Sequence, residues 1–361
     1  MKSLNTFPKL SSTSFDPSAY GLDVRMQVAA ESRYQGDYGI EIELEGRRLP
    51  QGYAGAAVNG VTWIYHADGS LRAVGGGAPG GAEYVLSEPC KFEDVQPLVD
   101  NLFAAIKSNR GEVVNSTRCS THVHLNMRGV KVPQLAAFVA LWGTFEDVLT
   151  NFCGGHRSGN HFALRFSDCA GAVDSWVGAF KMGDFRFRNE RRYLALNAAC
   201  LSTFGSLEVR SGGGVNSADE VVEWVDILHR LRSFALAMVN PLEISAAFSG
   251  YGPVEYAERV FGRAVTAKLM EATTELGEDF NRLVVEGFRR IQPILYTLDW
   301  EGVIKESSKV YIKDPFGALK RPAPRPRRNG GLGEFRVRMA AAVAPGEEVE
   351  FEEGFDEEDE E

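Results

Sequence analysis

Tyr38-Gly39-Ile40-Glu41-Ile42-Glu43-Leu44 alternates apolar and acidic residues with a period of two. Side chains two apart on a strand share a face, so this pattern predicts a half-buried strand. Ile40, Ile42 and Leu44 face a core, while Glu41, Glu43 and the following Glu45 face the other way. The same period recurs in Thr121–Asn126, where His122 and His124 share a face, and in Ser206–Arg210, where Glu208 and Arg210 do. Val61–His66, Glu83–Leu86 and Tyr193–Ala198 read as further strands, with a turn at His66–Ser70. Alternating strands have one apolar and one polar face, which predicts an α+β protein with a mostly antiparallel sheet and helices packed on one side. A doubly wound parallel sheet would require uniformly apolar strands.

Between and after the strands, apolar residues recur at helical spacing. Phe92–Asn109, Pro133–Phe152, a short stretch near 172–181, Ala218–Phe248 and helices within 254–295 follow from that spacing. Residues 1–35 are rich in Ser, Pro and polar residues and are expected to form an irregular arm. One large folded domain is expected at 36–300. A polar, basic Pro/Arg linker follows at 301–345, holding Lys320, Arg321, Arg325, Arg327 and Arg328, and an acidic disordered tail at 346–361. A Gly-rich loop spans residues 73–82, either a flexible cover or a spacer.

The 361 residues include 39 basic and 49 acidic ones, a net charge of −10. Eleven of the carboxylates lie between Glu347 and Glu361; without them 39 basic residues face 38 acidic ones, a net of +1. The body is therefore almost neutral, and charge makes no case for a nucleic-acid partner. Cys90, Cys119, Cys153, Cys169 and Cys200 are odd in number and form no CxxC, which fits a reducing compartment better than a disulfide framework or a zinc knuckle. No apolar h-region opens the chain and no apolar run reaches about 18 residues. A cytoplasmic protein without a membrane segment is the expectation.

The chemistry lies in what occupies the polar face. Glu-x-Glu, His-x-His and Glu-x-Arg replace the usual mixture of Thr, Ser, Lys and Glu. Crowded carboxylates raise one another's pKa unless a cation lies between them. Mg²⁺ and Mn²⁺ prefer carboxylate oxygens with an occasional imidazole. An arginine two residues from a ligating carboxylate can then grip phosphate. Each pair also has an ordinary reading: a solvated strand edge for Glu-x-Glu, a surface ion pair for Glu-x-Arg. Cys153 near His156 lacks the supporting acid of a nucleophile. His156 and His161 are five residues apart in a loop, a poor ligand spacing. Arg157, Arg165, Arg186 and Arg188 read on their own as surface charge balance.

In order along the chain come Gly39–Glu45, Asp68-Gly69-Ser70-Leu71, Glu83–Pro89, Ser120–Leu125, Arg192–Asn197 and Leu207–Arg210. This series resembles the amidoligase family, common in phages and bacteria and distantly related to glutamine synthetase and glutamate–cysteine ligase. The resemblance covers roughly residues 36–245. It implies a glutamine-synthetase-like catalytic fold with a curved sheet, and ATP- and Mg²⁺-dependent (or Mn²⁺-dependent) joining of a carboxylate to an amine through an acyl phosphate.

By that analogy Glu41 and Glu43 ligate two different cations. Glu83 joins one site, and His122 and Glu208 complete the other. His124 approaches the ATP phosphates, Arg210 holds the transferring phosphoryl group, and Arg191 or Arg192 steadies a carboxylate or phosphate. Asn197 and Ser70 become substrate groups, and Asp68 a candidate acceptor of the amine proton. The resemblance also implies that the segment of Arg157, Arg165, Arg186 and Arg188 shapes a substrate pocket. Carboxylate and amine substrates are the implied partners, and an oligomer is possible.

Neither GxxxxGK[ST] nor a GxGxxG that follows a strand and opens a helix occurs, so ATP would be held by cations and sheet rather than by a P-loop. Two other readings compete. One is a metal-dependent hydrolase using His122 and His124, which the surplus of carboxylates over imidazoles disfavours. The other is a non-catalytic phage structural protein that retains the fold.

Overall fold

A computed structural model describes residues 36–71 and 81–304, apart from 129, 170, 184, 186 and 188–191. The N-terminal arm, nearly all of the Gly-rich loop, Arg186, Arg188, Arg191, the Pro/Arg linker and the acidic tail lie outside the described residues.

The chain begins with strands β1 (Tyr38–Leu44), β2 (Gly46–Arg47), β3 (Tyr53–Val58), β4 (Val61–Asp68) and β5 (Gly81–Leu86), then helix α1 (Phe92–Ser108). Strands β6 (Glu112–Val113) and β7 (Ser120–Asn126) lead to α2 (Val132–Phe152) and α3 (Ala172–Met182). Next come β8 (Leu196–Asn197), the short α4 (Leu201–Phe204) and β9 (Ser206–Gly213). Five helices follow: α5 (Ala218–Ala237), α6 (Leu242–Tyr251), α7 (Pro253–Phe261), α8 (Arg263–Glu275) and α9 (Phe280–Leu295).

Seven strands form one sheet in the order β3-β4-β5-β1-β7-β9-β8, and every neighbouring pair is antiparallel. The period-two reading of β1 holds residue by residue: Ile40, Ile42 and Leu44 are buried, and Glu41 and Glu43 alternate with them at partial exposure. Val123 and Leu125 of β7 and Leu207 and Val209 of β9 extend the apolar face. Helix α1 packs against β3 and β4, α5 against β7, and α2 against β9. The indole N–H of Trp63 on β4 donates to the Leu98 carbonyl of α1 at 2.7 Å, so even the buried polar atom at this interface is satisfied.

Helix α2 is buried along almost its whole length and packs against α5, α8 and α9. A helix that is apolar all round belongs in the middle of a layer rather than at its surface. The mixed α and β architecture and the antiparallel sheet therefore match the expectation from sequence. Among the described residues no helix is long and apolar enough to cross a membrane, and all five cysteines are free thiols.

Four details differ from the sequence reading. The expected helix Ala218–Phe248 is two helices, broken before Pro241, which lacks the N–H and the steric room to continue α5. The expected strand Tyr193–Ala198 contracts to Leu196–Asn197, because Tyr193 and Ala195 pair instead with Leu164. Strand β3 was not foreseen: its Tyr-Ala-Gly-Ala-Ala-Val sequence has no alternation. Gly55 there has φ +77°, and a Cβ would come within 2.7 Å of the Asn101 carbonyl on α1. Finally, β4 runs on to Asp68, so the turn placed at His66–Ser70 is confined to its last two residues.

Candidate metal centre

Register assembles the polar face. Residues paired directly across antiparallel strands point the same way. Glu41 is opposite His122, Gly39 opposite His124, and Glu43 opposite Glu83. His124 is opposite Glu208, which is opposite Asn197. A Cβ on Gly39 would lie 3.2 Å from the His124 Cβ, so glycine leaves the imidazole its room.

Two groups of ligating atoms result. In the first, atoms of Glu41, His124 and Glu208 lie within 4.8 Å of one another. His122 joins them, its Nδ1 3.3 Å from Glu41 Oε2 and 3.6 Å from Glu208 Oε1. His124 Nε2 is 3.2 Å from Glu41 Oε1. In the second group, carboxylates of Glu43, Asp68 and Glu83 lie within 4.8 Å of one another. The five residues expected to ligate metal, Glu41, Glu43, Glu83, His122 and Glu208, share one sheet face and fall into two groups. The grouping differs from the expected one in two respects. His124, expected at the phosphates, is within ligand distance of the first group. Asp68, expected to take a proton from a turn, ends a strand in the second.

Electrostatics follow from the crowding. Burial pushes the Glu41 carboxyl up, but hydrogen bonds and charge from His124 and His122 outweigh it and hold the group well below the usual carboxylate range. Burial likewise opposes ionisation of Glu208, while Arg210 and the two imidazoles bring its pKa below normal. His124 is desolvated, yet Glu41 and Glu208 raise its pKa above the ordinary histidine value.

Supporting groups fix these side chains. Asn197 Nδ2 donates to Glu208 Oε2 at 2.6 Å, the Cys200 thiol donates to the same oxygen at 3.3 Å, and Arg210 Nη1 donates to Glu208 Oε1. Asn197 is buried, and its amide oxygen accepts the Ala199 N–H, so it positions Glu208 rather than meeting a substrate as expected. Ser120 Oγ donates to Glu43 and lies 2.8 Å from His122 Nε2; Ser206 Oγ lies 3.2 Å from His124 Nδ1.

Arg210 is aimed by the backbone. Thr121 pairs with Gly212 and Val123 with Val209, so β9 carries one extra residue opposite His122. Such a bulge re-aims side chains and interrupts the ladder. The buried Arg157 spans it, donating to the Arg210 carbonyl at 2.6 Å and to the Ser211 carbonyl at 3.1 Å. Arg157 is therefore an internal brace, correcting its reading as pocket wall or surface charge. Arg165 pairs with Asp147 and Asp168.

The remaining expectations fare differently. Arg191 lies outside the described residues. Arg192 is exposed and, among the described residues, is engaged with Tyr193, stacking 4.6 Å from its ring centroid. Ser70 is exposed and engaged through its backbone with Asp68 and Arg118. Glu45 lies beyond the end of β1 and is buried, so the third glutamate of the run does not share the polar face of the strand. Burial pushes the Cys153 thiol up to about 12, which leaves it no nucleophile.

A cavity of about 300 Å³ opens beside the first group; Gly39, Glu41 and His124 line it together with Val85, Leu86, Pro89 and Phe204. Sequence reasoning missed Ser120, Ser206, Arg157 and Cys200. Ser120 alone carried a signal, since Ser-x-His-x-His continues the period of two onto the same face. No protein-family model and no curated protein matches the chain.

Proposed function

We propose that the chain is an ATP- and Mg²⁺-dependent carboxylate–amine ligase on a glutamine-synthetase-like catalytic fold. The observation that carries this reading is the division of one sheet face into two carboxylate-rich groups that share β1, with an arginine beside the first. The donor set fits the cations. Five carboxylates and two imidazoles suit hard Mg²⁺ or Mn²⁺ better than the imidazole-rich shell of a zinc hydrolase. Glu41, His122 and Glu208 would hold one ion, and Glu43, Asp68 and Glu83 the other. Bound there, the ions would neutralise the triphosphate and the charge that develops on it.

ATP is a substrate in this scheme. A carboxylate oxygen of the first substrate attacks the γ-phosphorus, and ADP leaves. The amine nitrogen of the second attacks the acyl carbon of the resulting acyl phosphate; the C–O bond to phosphate breaks, and the proton from the nitrogen goes to the departing phosphate. The cavity beside Glu41 and His124 has the volume and apolar lining of a small-ligand site and takes the nucleoside. Arg210, beside Glu208, would grip the phosphoryl group, and Glu208 would help to hold the cation. His124 faces the phosphates from the cavity side. Asp68, among carboxylates, serves a cation rather than the amine proton.

The test is to incubate the full-length protein with ATP, Mg²⁺ and pooled carboxylates and amines, and to follow ADP. ADP that depends on both pools supports the ligase, and Glu41→Gln should return it to background. Phosphate release without either pool would favour a hydrolase, and ADP at background throughout would contradict catalysis.

A further inference from the structure

Two neighbouring turns carry arginine where glycine would fold more easily. Arg48, just after β2, and Arg110, just after the Asn109 C-cap of α1, both have φ +53°. A Cβ is unfavourable in that left-handed region, and the residue after a helix C-cap is usually glycine or asparagine. The turns touch. Asn109 Nδ2 donates to the Arg48 carbonyl at 2.7 Å, and a Cβ on Gly111 would lie 3.0 Å from the same oxygen. Arg47 is opposite Glu112 across the β2–β6 pair, and the Lys107 carbonyl accepts the Arg110 N–H at 3.0 Å. Arg47, Arg48, Lys107 and Arg110 are all exposed, and none forms an ion pair among the described residues. Glu112 is the one acidic residue within 46–49 and 107–113. The dipole of α1 accounts for a cation at Lys107, at the helix C-terminus, but Arg47 and Arg48 belong to another element.

The cluster adjoins the polar face. Glu43 of the second group precedes Arg47 by four residues in the sequence, so their Cα atoms are at most about 14 Å apart. On the connection from β6 to β7, the exposed Arg118 donates from Nη1 to the Ser70 carbonyl at 2.8 Å, two residues beyond Asp68 of that group. Cations therefore stand beside the second group and again at the end of α1.

We infer that Arg47, Arg48, Lys107 and Arg110 form a docking surface for an acidic polypeptide, a Glu- or Asp-rich segment that brings one of its carboxylates to the polar face. Charge complementarity selects this occupant, since arginine grips a carboxylate through paired N–H donors. A nucleic acid suits the surface less well, because holding a phosphate backbone typically takes about 6–10 phosphate contacts. This names a substrate class for the ligase reading and rests on that reading for its consequence, whereas the docking itself needs no metal.

The test uses the full-length protein and a fluorescein-labelled oligoglutamate peptide, with anisotropy read at low salt in EDTA so that no cation bridges the two. The wild type should bind the peptide, and added salt should release it. Arg48→Gly/Arg110→Gly removes two cations at positions where glycine has no steric cost, and should weaken binding by about 5- to 30-fold. Arg48→Asn/Arg110→Asn, which the left-handed region also tolerates, should do the same. Arg263→Ala/Arg289→Ala removes the same charge from exposed positions on α8 and α9 and should bind as the wild type does. A wild type that does not bind the peptide, Gly and Asn variants that bind it unchanged, or an equal loss in the α8/α9 control overturns the surface. So does a labelled single-stranded oligonucleotide that binds more tightly than the peptide and is released by Arg48→Gly/Arg110→Gly, which assigns the cluster to nucleic acid.

With ATP, Mg²⁺, pooled amines and oligoglutamate as the carboxylate, Arg48→Gly/Arg110→Gly should raise KM for the peptide and keep kcat. Peptide binding that depends on Arg48 and Arg110, without any ADP, contradicts the ligase reading and leaves the docking surface standing.

Discussion

Glu208 accepts from Asn197, Cys200 and Arg210 while facing two imidazoles, so its oxygens are held before any ligand arrives. Removing one such support loosens the ligand without deleting it. Asn197→Ala is expected to lower Mn²⁺ affinity at the Glu41 site by about 10- to 100-fold, measured by calorimetry. Unchanged affinity would show that Asn197 does not position Glu208. At this scale the sequence was legible where period two applies. Glu41, Glu43, His122, His124, Glu208 and Arg210 all alternate with buried apolar residues, so their shared face could be read directly. Asn197 and Cys200 could not be assigned this way, since their roles come from the β8–β9 pairing, and Tyr193 and Ala195 beside them pair with Leu164, distant in sequence.

Single elements set the direction of the polar-face groups. The bulge of β9 exists because two strands meet in a register that no local pattern encodes, and Arg157 reaches it from over fifty residues away. Arg157→Met leaves the carbonyls of Arg210 and Ser211 without that donor. A loss of about 2–4 kcal/mol is expected in urea unfolding, with weaker Mg–ATP binding as Arg210 loses its aim. Wild-type stability in that variant would remove the brace.

Helix α2 carries a second device. Glu146 is fully buried, accepting from the Trp142 indole and the Phe166 N–H, and burial raises its pKa to about 8. A carboxyl that keeps its proton longer in the folded state contributes stability that is complete below its ordinary value of 4.5 and is lost as pH rises through about 8. Unfolding free energy should therefore fall by on the order of a few kcal/mol across that window from this group. Glu146→Gln, which mimics the protonated side chain, should flatten the fall; an equally steep profile would show that Glu146 ionises freely.

For the whole molecule, the central question is whether the polar face holds cations. The described core, from Tyr38 to Val303, is built from the sheet and its helices. A chain truncated after Pro345 is expected to melt with the full-length protein and bind Mn²⁺ equally well; unfolding would put the domain boundary elsewhere. Ligands that bind only the folded state stabilise it, so Mg²⁺ should raise the melting temperature of both forms. The antiparallel sheet was legible because its strands alternate and its helices do not. The interruption at Pro241 and the unpatterned edge strand β3 were not, because one depends on a local break within a continuous apolar period and the other on packing against α1.

The most direct measurement is Mn²⁺ stoichiometry by calorimetry on the full-length wild type, Glu41→Gln and Glu83→Gln. Two ions per chain are expected in the wild type. Glu41→Gln should lose the ion held with His122 and Glu208, and Glu83→Gln the ion held with Glu43 and Asp68. A wild type that binds no ion, or variants that both retain two, would contradict the two-cation face.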